Sequence, residues 1–237
     1  MNVTRADIAS SLRAMGLQAG DRVMVHSSLS SMGHVEGGAE TVVQAFLDVL
    51  GPQGTLMVPT FTHSSCEYFD PLKSPSLNGA VTEAARRFPG AVRSLHPTHA
   101  VTAIGPDAES LVEDDLNRGA LGKGCALDRL IKKGGHIFLL GVSQSSNSSI
   151  HIGEDYAGAD RHGRFTPENP GVVILNHPEH GEREVALTEM MGHTPAFDRM
   201  EELLRGRGQI VDGTIGEARC QMMKGEVLLA ATVEILG

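Results

Sequence analysis

Through residue 155, short apolar runs closed by small polar residues alternate with segments of helical period. That alternation limits the chain to an α/β architecture with a mostly parallel central sheet. One unit carries chemistry as well. Ile137-Phe138-Leu139-Leu140-Gly141-Val142 reads as a buried strand, and Ser143-Gln144-Ser145-Ser146-Asn147-Ser148-Ser149 as a turn and helix N-cap. His151 and Glu154 follow as H-x-x-E. Positions three apart share a helix face, so the two side chains can act together. The unit would present them at a strand's carboxyl end, where open α/β sheets hold ligands.

The spacing of Ile8, Leu12 and Met15 predicts a helix over 5–15, opened by a capping box at Thr4-Arg5-Ala6-Asp7 and ended by Gly16. Strands are predicted at Val23–Val25, Gly54–Pro59 and Val101–Ile104. Helices are predicted at Ala39–Leu50, 81–88, 126–133 and Phe197–Leu204. Residues 60–79 read as loop, as does Gly163–Pro170. Val172–Leu175 and Glu184–Leu187 are candidates for an antiparallel pair, and 225–236 for a strand or a helix. No repeat or linker divides the chain, so 1–237 is expected to be a single domain with a variable subregion after about residue 165.

Composition narrows the class. The net charge of −9 disfavours nucleic acid, which needs clustered Lys and Arg, and suits either a cationic substrate or simple solubility. No apolar stretch is long enough to span a membrane, and no signal-peptide pattern opens the chain. Three scattered cysteines fit neither a disulfide framework nor a zinc motif, so a cytoplasmic location is expected.

Several segments are candidate sites. His26-Ser27-Ser28-Leu29 through Gly33, with Gly37-Gly38, can offer backbone N–H groups to an anion, or can be an ordinary turn. Arg93, His96, Thr98 and His99 surround Pro97, with Arg93 a candidate phosphate contact and His99 equally a backbone-bonded residue. At 147–154 the candidates are a His151 general base supported by Glu154, a shared metal, and a serine nucleophile at Ser148 or Ser149; a helix-capping histidine is the plain alternative. The H-E-x-x-H and G-x-S-x-G motifs are absent, which weakens the last two chemistries. Glu67, Asp70, Glu154 and Asp155 would bind a polycation if they converge.

In order and spacing, these segments resemble the aminoglycoside 3-N-acetyltransferase (antibiotic N-acetyltransferase) family. The marks are Val25-His26-Ser27-Ser28-Leu29, Val35-Glu36-Gly37-Gly38-Ala39-Glu40-Thr41, Gly54-Thr55-Leu56-Met57-Val58-Pro59-Thr60, Arg93-Ser94-Leu95-His96-Pro97, Gly105-Pro106, Leu139-Leu140-Gly141-Val142 and Asn147-Ser148-Ser149-Ile150-His151-Ile152-Gly153-Glu154. Ile215-Gly216-Glu217-Ala218 is the one match late in the chain.

The resemblance implies a three-layer α/β/α fold with a smaller, partly antiparallel C-terminal region. It implies acetyl-CoA as donor, an amine as acceptor and no metal. His151 and Glu154 fall on the family's catalytic pair, and Ser148 stands where the family usually has Thr. His26, Ser27, Ser28, Leu29, Gly33, Gly37, Gly38, Arg93, His96, Thr98 and His99 would line the CoA site. Glu67, Asp70 and Asp155 would meet the cationic acceptor, and a homodimer is compatible with this reading. Two other functions stay open: N-acylation of a biosynthetic amino sugar or small amine, and a non-catalytic CoA-binding module.

Overall fold

The computed structural model describes residues 2–62, 65–113, 116, 121–159, 165–166, 169–187 and 194–237. The chain opens with β1 (Asn2–Val3), α1 (Arg5–Ala14), β2 (Arg22–Ser27), β3 (His34–Val35), α2 (Gly38–Leu50) and β4 (Thr55–Pro59). It continues with β5 (Tyr68–Phe69), α3 (Ala80–Arg86), β6 (Val92–Arg93), β7 (Val101–Ile104), α4 (Ala108–Val112), α5 (Ala126–Lys132), β8 (His136–Leu140) and α6 (Ile150–Ala157). The remainder is β9 (Gly171–His177), β10 (Gly181–Leu187), α7 (Pro195–Gly206), β11 (Val211–Ile215), β12 (Ala218–Lys224) and α8 (Gly225–Leu236).

A seven-stranded sheet in the order β11-β12-β8-β2-β4-β7-β6 forms the middle layer. Its three central strands, β8, β2 and β4, pair in parallel. The flanking pairs are antiparallel, so only β12 and β7 run against the other strands. Side chains alternate between faces along each strand. Val23, Val25, Leu56, Val58, Phe138 and Leu140 meet α1, α2 and α3 on one side. Met24, Met57, Ala103, Ile137 and Leu139 meet α4 to α8 on the other. Both faces are covered, which is why these strands read as unbroken apolar runs. Helix α2 buries Val42, Val43, Phe46, Val49 and Leu50, and Phe46 packs edge-on against Phe138 at 5.4 Å between ring centroids. Each such side chain contributes roughly 1.5–3 kcal/mol by leaving water.

The expected capping box is present at Thr4 and Asp7. The expected antiparallel pair is β9–β10, and β5 joins β9 in parallel to make a separate three-stranded sheet over Phe69, Val173, Leu175 and Leu187. Segment 225–236, open between strand and helix in the sequence, is helix α8. The hairpin of β11 and β12 has no counterpart in the sequence reading, because β11 is an edge strand with mostly exposed residues and weak alternation. Its two-residue turn needs Gly216 (φ +59°): a Cβ there would lie 2.6 Å from Val3 Cγ2. The predicted loop Gly163–Pro170 lies largely outside the described residues. Among the described residues, no helix is long and apolar enough to cross a membrane.

Candidate active site

The site sits where the central sheet changes direction of winding. After β2 the chain crosses to α2 on one face, and after β8 it enters α6 on the other. The carboxyl ends of two adjacent parallel strands therefore diverge, and such a crevice is where open α/β sheets place ligands. The Ser28 N–H, just past β2, donates to the Leu140 carbonyl at the end of β8 (2.9 Å) and closes the crevice floor.

Along the first wall, Ser27, Ser28, Leu29, Gly33 and Gly38 line one cleft of about 550 Å³, with Ser30, His34, Val35, Gly79 and Ala80. The N-terminus of α2 opens into it, and Gly37 supports that helix start from the left-handed region (φ +75°). His26 does not line the cleft as expected. Its ring is buried, with Nε2 3.5 Å from Ser149 Oγ, so it braces the end of β2 against the start of α6. Burial pushes its pKa down to about 4, and the ring is neutral at neutral pH.

His96, Thr98 and His99 come from the loop joining β6 to β7. Thr98 Oγ1 is 2.9 Å from His99 Nδ1 and 3.4 Å from His96 Nδ1. The His99 backbone N–H donates to His96 Nδ1 (3.1 Å), which places that ring's proton on Nε2. Burial lowers both pKa values, to about 4 for His96 and about 3 for His99. A charge on His151 would lower His99 further, which places the two rings in one neighbourhood.

Opposite stands α6. His151 Nδ1 is 2.7 Å from Glu154 Oε2, and the carboxylate is fully buried while the imidazole keeps some exposure. The carboxylate holds Nδ1 and orients the ring, so the ring's basic lone pair lies on Nε2. Thr194 Oγ1 donates to the other carboxylate oxygen, Glu154 Oε1, at 2.6 Å. The Phe197 ring packs against His151 with centroids 4.9 Å apart. Ser148 Oγ is buried at the start of this helix with no hydrogen-bond partner among the described residues. Such an orphan hydroxyl is a donor available to a ligand oxygen. Buried amides hold the preceding turn: Asn147 Nδ2 donates to Gln144 Oε1 (2.8 Å), and Gln144 Nε2 to Gln221 Oε1 (3.0 Å) on β12.

Two expectations are corrected by this geometry. Arg93 is not a ligand contact but a clamp: Nη2 donates to the Thr60 carbonyl (2.5 Å), Nη1 to those of Ser74 (2.5 Å) and Pro71 (3.4 Å), and the guanidinium lies over the Phe69 ring at 4.9 Å. Asp70 is buried and holds its own loop, accepting from the Leu72 and Lys73 N–H groups and from Asn176 Nδ2. Asp155 accepts from the Lys123 N–H (2.8 Å). Glu67 remains exposed on the edge of β5's sheet, its carbonyl bound by the Ile174 N–H. Asp70 and Glu154 are thus committed to buried hydrogen bonds of their own, while Glu67 and Asp155 keep solvent exposure. Among the described residues, no group of three or more His, Cys, Asp or Glu side chains is arranged to hold a metal.

The family model for aminoglycoside 3-N-acetyltransferase matches residues 24–237. The chain belongs to the aminoglycoside 3-N-acetyltransferase family. An aminoglycoside N(3)-acetyltransferase III from Acinetobacter baumannii is 36% identical over 98% of this chain and 91% of its own length. A type VII enzyme from Streptomyces paromomycinus is 37% identical over 66% of this chain and 62% of its own. Among solved structures, AAC-IIIb in binary complex with CoASH superposes with TM-score 0.88 at 26% identity, covering 100% of this chain and 97% of that one. A histidine-to-alanine mutant of AAC(3)-IVa in complex with a gentamicin gives TM-score 0.88 at 26% identity, covering 100% and 89%. As a member of this aminoglycoside 3-N-acetyltransferase family, the chain is an acyltransferase.

Two residues against the acyltransferase's His–Glu pair, Thr194 and Phe197, were not foreseen. They lie some forty residues downstream, on α7. The one local signal is Thr194-Pro195, a helix N-cap followed by proline at the first helical position. It marks a helix start and says nothing about which carboxylate the threonine meets.

Proposed function

We propose that this chain transfers an acetyl group from acetyl-CoA directly to the 3-amino group of an aminoglycoside, with His151 as general base. The observation that carries the reading is the buried Glu154 carboxylate bonded to His151 Nδ1 at 2.7 Å, at the carboxyl end of the parallel strands. His151 Nε2 takes a proton from the acceptor ammonium. The amine nitrogen attacks the thioester carbonyl carbon, the carbon–sulfur bond breaks, the CoA thiolate takes up the proton held on His151, and the amide nitrogen releases its second proton to solvent. Ser148 Oγ donates to the carbonyl oxygen as its charge grows; one such donor is worth about 3 kcal/mol in comparable sites.

Acetyl-CoA binds in the cleft lined by Ser27, Ser28, Leu29, Gly33 and Gly38. There the N-terminus of α2 favours a phosphate. The solved AAC-IIIb complex with CoASH supports the donor, and the named activities of the curated relatives support the acceptor. The segment after residue 165 works with the rest of the chain as one unit, because α7 completes the pair's surroundings.

Release of free CoA thiol, measured across a panel of aminoglycosides and amino sugars, tests the reading. Turnover is expected with aminoglycosides. His151→Ala should lower kcat by roughly 10²–10⁴-fold while CoA binding persists. Glu154→Gln should lower activity and alter the pH–rate profile. Wild-type turnover by the His151 variant would remove the base. Acetylation of amino sugars alone would replace the acceptor.

A further inference from the structure

The first turn of α7 meets the His–Glu pair twice. Thr194, its N-cap, has two tasks. Oγ1 accepts from the Ala196 N–H as a cap (3.4 Å), and its own proton goes to Glu154 Oε1 at 2.6 Å. One turn on, Phe197 covers the imidazole. The Glu154 carboxylate is fully buried, with one oxygen on His151 and the other on Thr194. A buried carboxylate needs such partners, and a charge-assisted bond of this length is a strong one.

We propose that Thr194 is a positioning residue for catalysis: its hydroxyl fixes the Glu154 carboxylate and thereby sets how firmly the pair holds a proton on His151. The inference rests on the reading of His151 as base. The bond to Thr194 stabilises the carboxylate most when the imidazole is neutral, since an imidazolium already compensates the negative charge. Removing the hydroxyl therefore raises the proton affinity of the pair, and more of the base is blocked at a given pH. Phe197 closes one side of the ring, so a mispositioned carboxylate is not readily replaced by water.

Among the described residues, the other titratable groups near the pair are few. His99 faces it from the β6–β7 loop and is neutral through burial. On α6 itself Asp155 is engaged by the Lys123 N–H. Helix α8 packs through Thr232 against Gly153 and brings no charge to that contact. On α7 the next residue, Asp198, is exposed. The threonine is thus the neighbour whose loss changes the pair without changing the count of charges.

The test compares Thr194→Val with Thr194→Ser. Histidine-labelled protein is titrated by NMR, with the His151 signal assigned from its loss in His151→Gln, and kcat/KM is measured against pH. In Thr194→Val the His151 midpoint should move to higher pH. Its kcat/KM should fall roughly tenfold to a hundredfold, the effect of one hydrogen bond to a charged group, with the acid limb moving the same way. Thr194→Ser keeps both the cap and the donor and should restore both readings. A lost cap alone would lower the melting temperature and leave the titration and the acid limb in place, and that result overturns the proposal. If His151→Gln kept wild-type turnover, the base reading would fail, while the His151 titration in Thr194→Val would still decide the coupling.

Discussion

Replacing Arg93 separates a ligand contact from a structural clamp. In the folded chain its guanidinium donates to three carbonyls, those of Thr60, Pro71 and Ser74, and covers the Phe69 ring. It joins β6 to the end of β4 and to the loop after β5. Burial lowers its pKa to about 10, so it stays charged at neutral pH and the carbonyls are bonded to a cation. Arg93→Ala removes three charge-assisted bonds from a buried site and leaves their acceptors unsatisfied. Single bonds to charged groups are worth about 1.5–3 kcal/mol, and partial entry of water offsets some of the sum. A loss of about 3–5 kcal/mol follows. For a chain of this size that lowers the melting temperature by on the order of 10 °C. Arg93→Lys should recover little, because one ammonium cannot span carbonyls on both sides as the planar fork does. With no tryptophan in the chain, urea unfolding followed by circular dichroism is the suitable assay. Calorimetric titration of the folded variant with CoA completes it, and the affinity should stay near wild type. An Arg93→Ala protein with a wild-type urea midpoint and weakened CoA binding would refute the clamp and return Arg93 to the ligand.

Acid should destabilise the fold through its buried histidines. His26 and His96 have pKa values lowered by burial from 6.5 to about 4, so the unfolded chain binds more protons below pH 6.5 and stability falls as pH drops toward 4. Each contributes a loss of up to about 3 kcal/mol. Urea midpoints at pH 7.5 and 5 check this, and a flat profile would contradict the buried neutral rings. Gly153→Ala should destabilise by about 1–3 kcal/mol, because its Cβ would run into the Thr232 Cβ on α8 and lie 2.7 Å from both Cγ2 and Oγ1. Because the nearest atom is the Thr232 Cβ, Thr232→Ala should relieve little of that loss and Thr232→Gly should relieve more of it in the double mutant; an additive Gly153→Ala and Thr232→Gly pair would argue against the clash.

Much of this protein was legible locally. Apolar runs, helical spacing and Gly or Pro stops located most elements of the central sheet and its helices, because these signals depend on neighbours a few residues apart. The H-x-x-E spacing put His151 and Glu154 on one helix face, and the 2.7 Å contact follows from that. What periodicity cannot encode is which distant group a side chain meets. Arg93 and Asp70 have the chemistry of ligand contacts, yet the folded chain closes loops around them and their bonds go to nearby backbone. His26 sits in a motif that lines a cleft, but strand alternation turns its ring inward to Ser149. The antiparallel entry of β7 and the hairpin of β11 and β12 came from pairing across the sheet, which weak edge patterns do not announce. Thr194 and Phe197 reach the site only because α7 packs beside α6 and α8, forty residues beyond the pair they hold. The residue types and their order were local properties of the chain. The partners that decide each one's task are long-range contacts, set by packing two layers of helices on one twisted sheet.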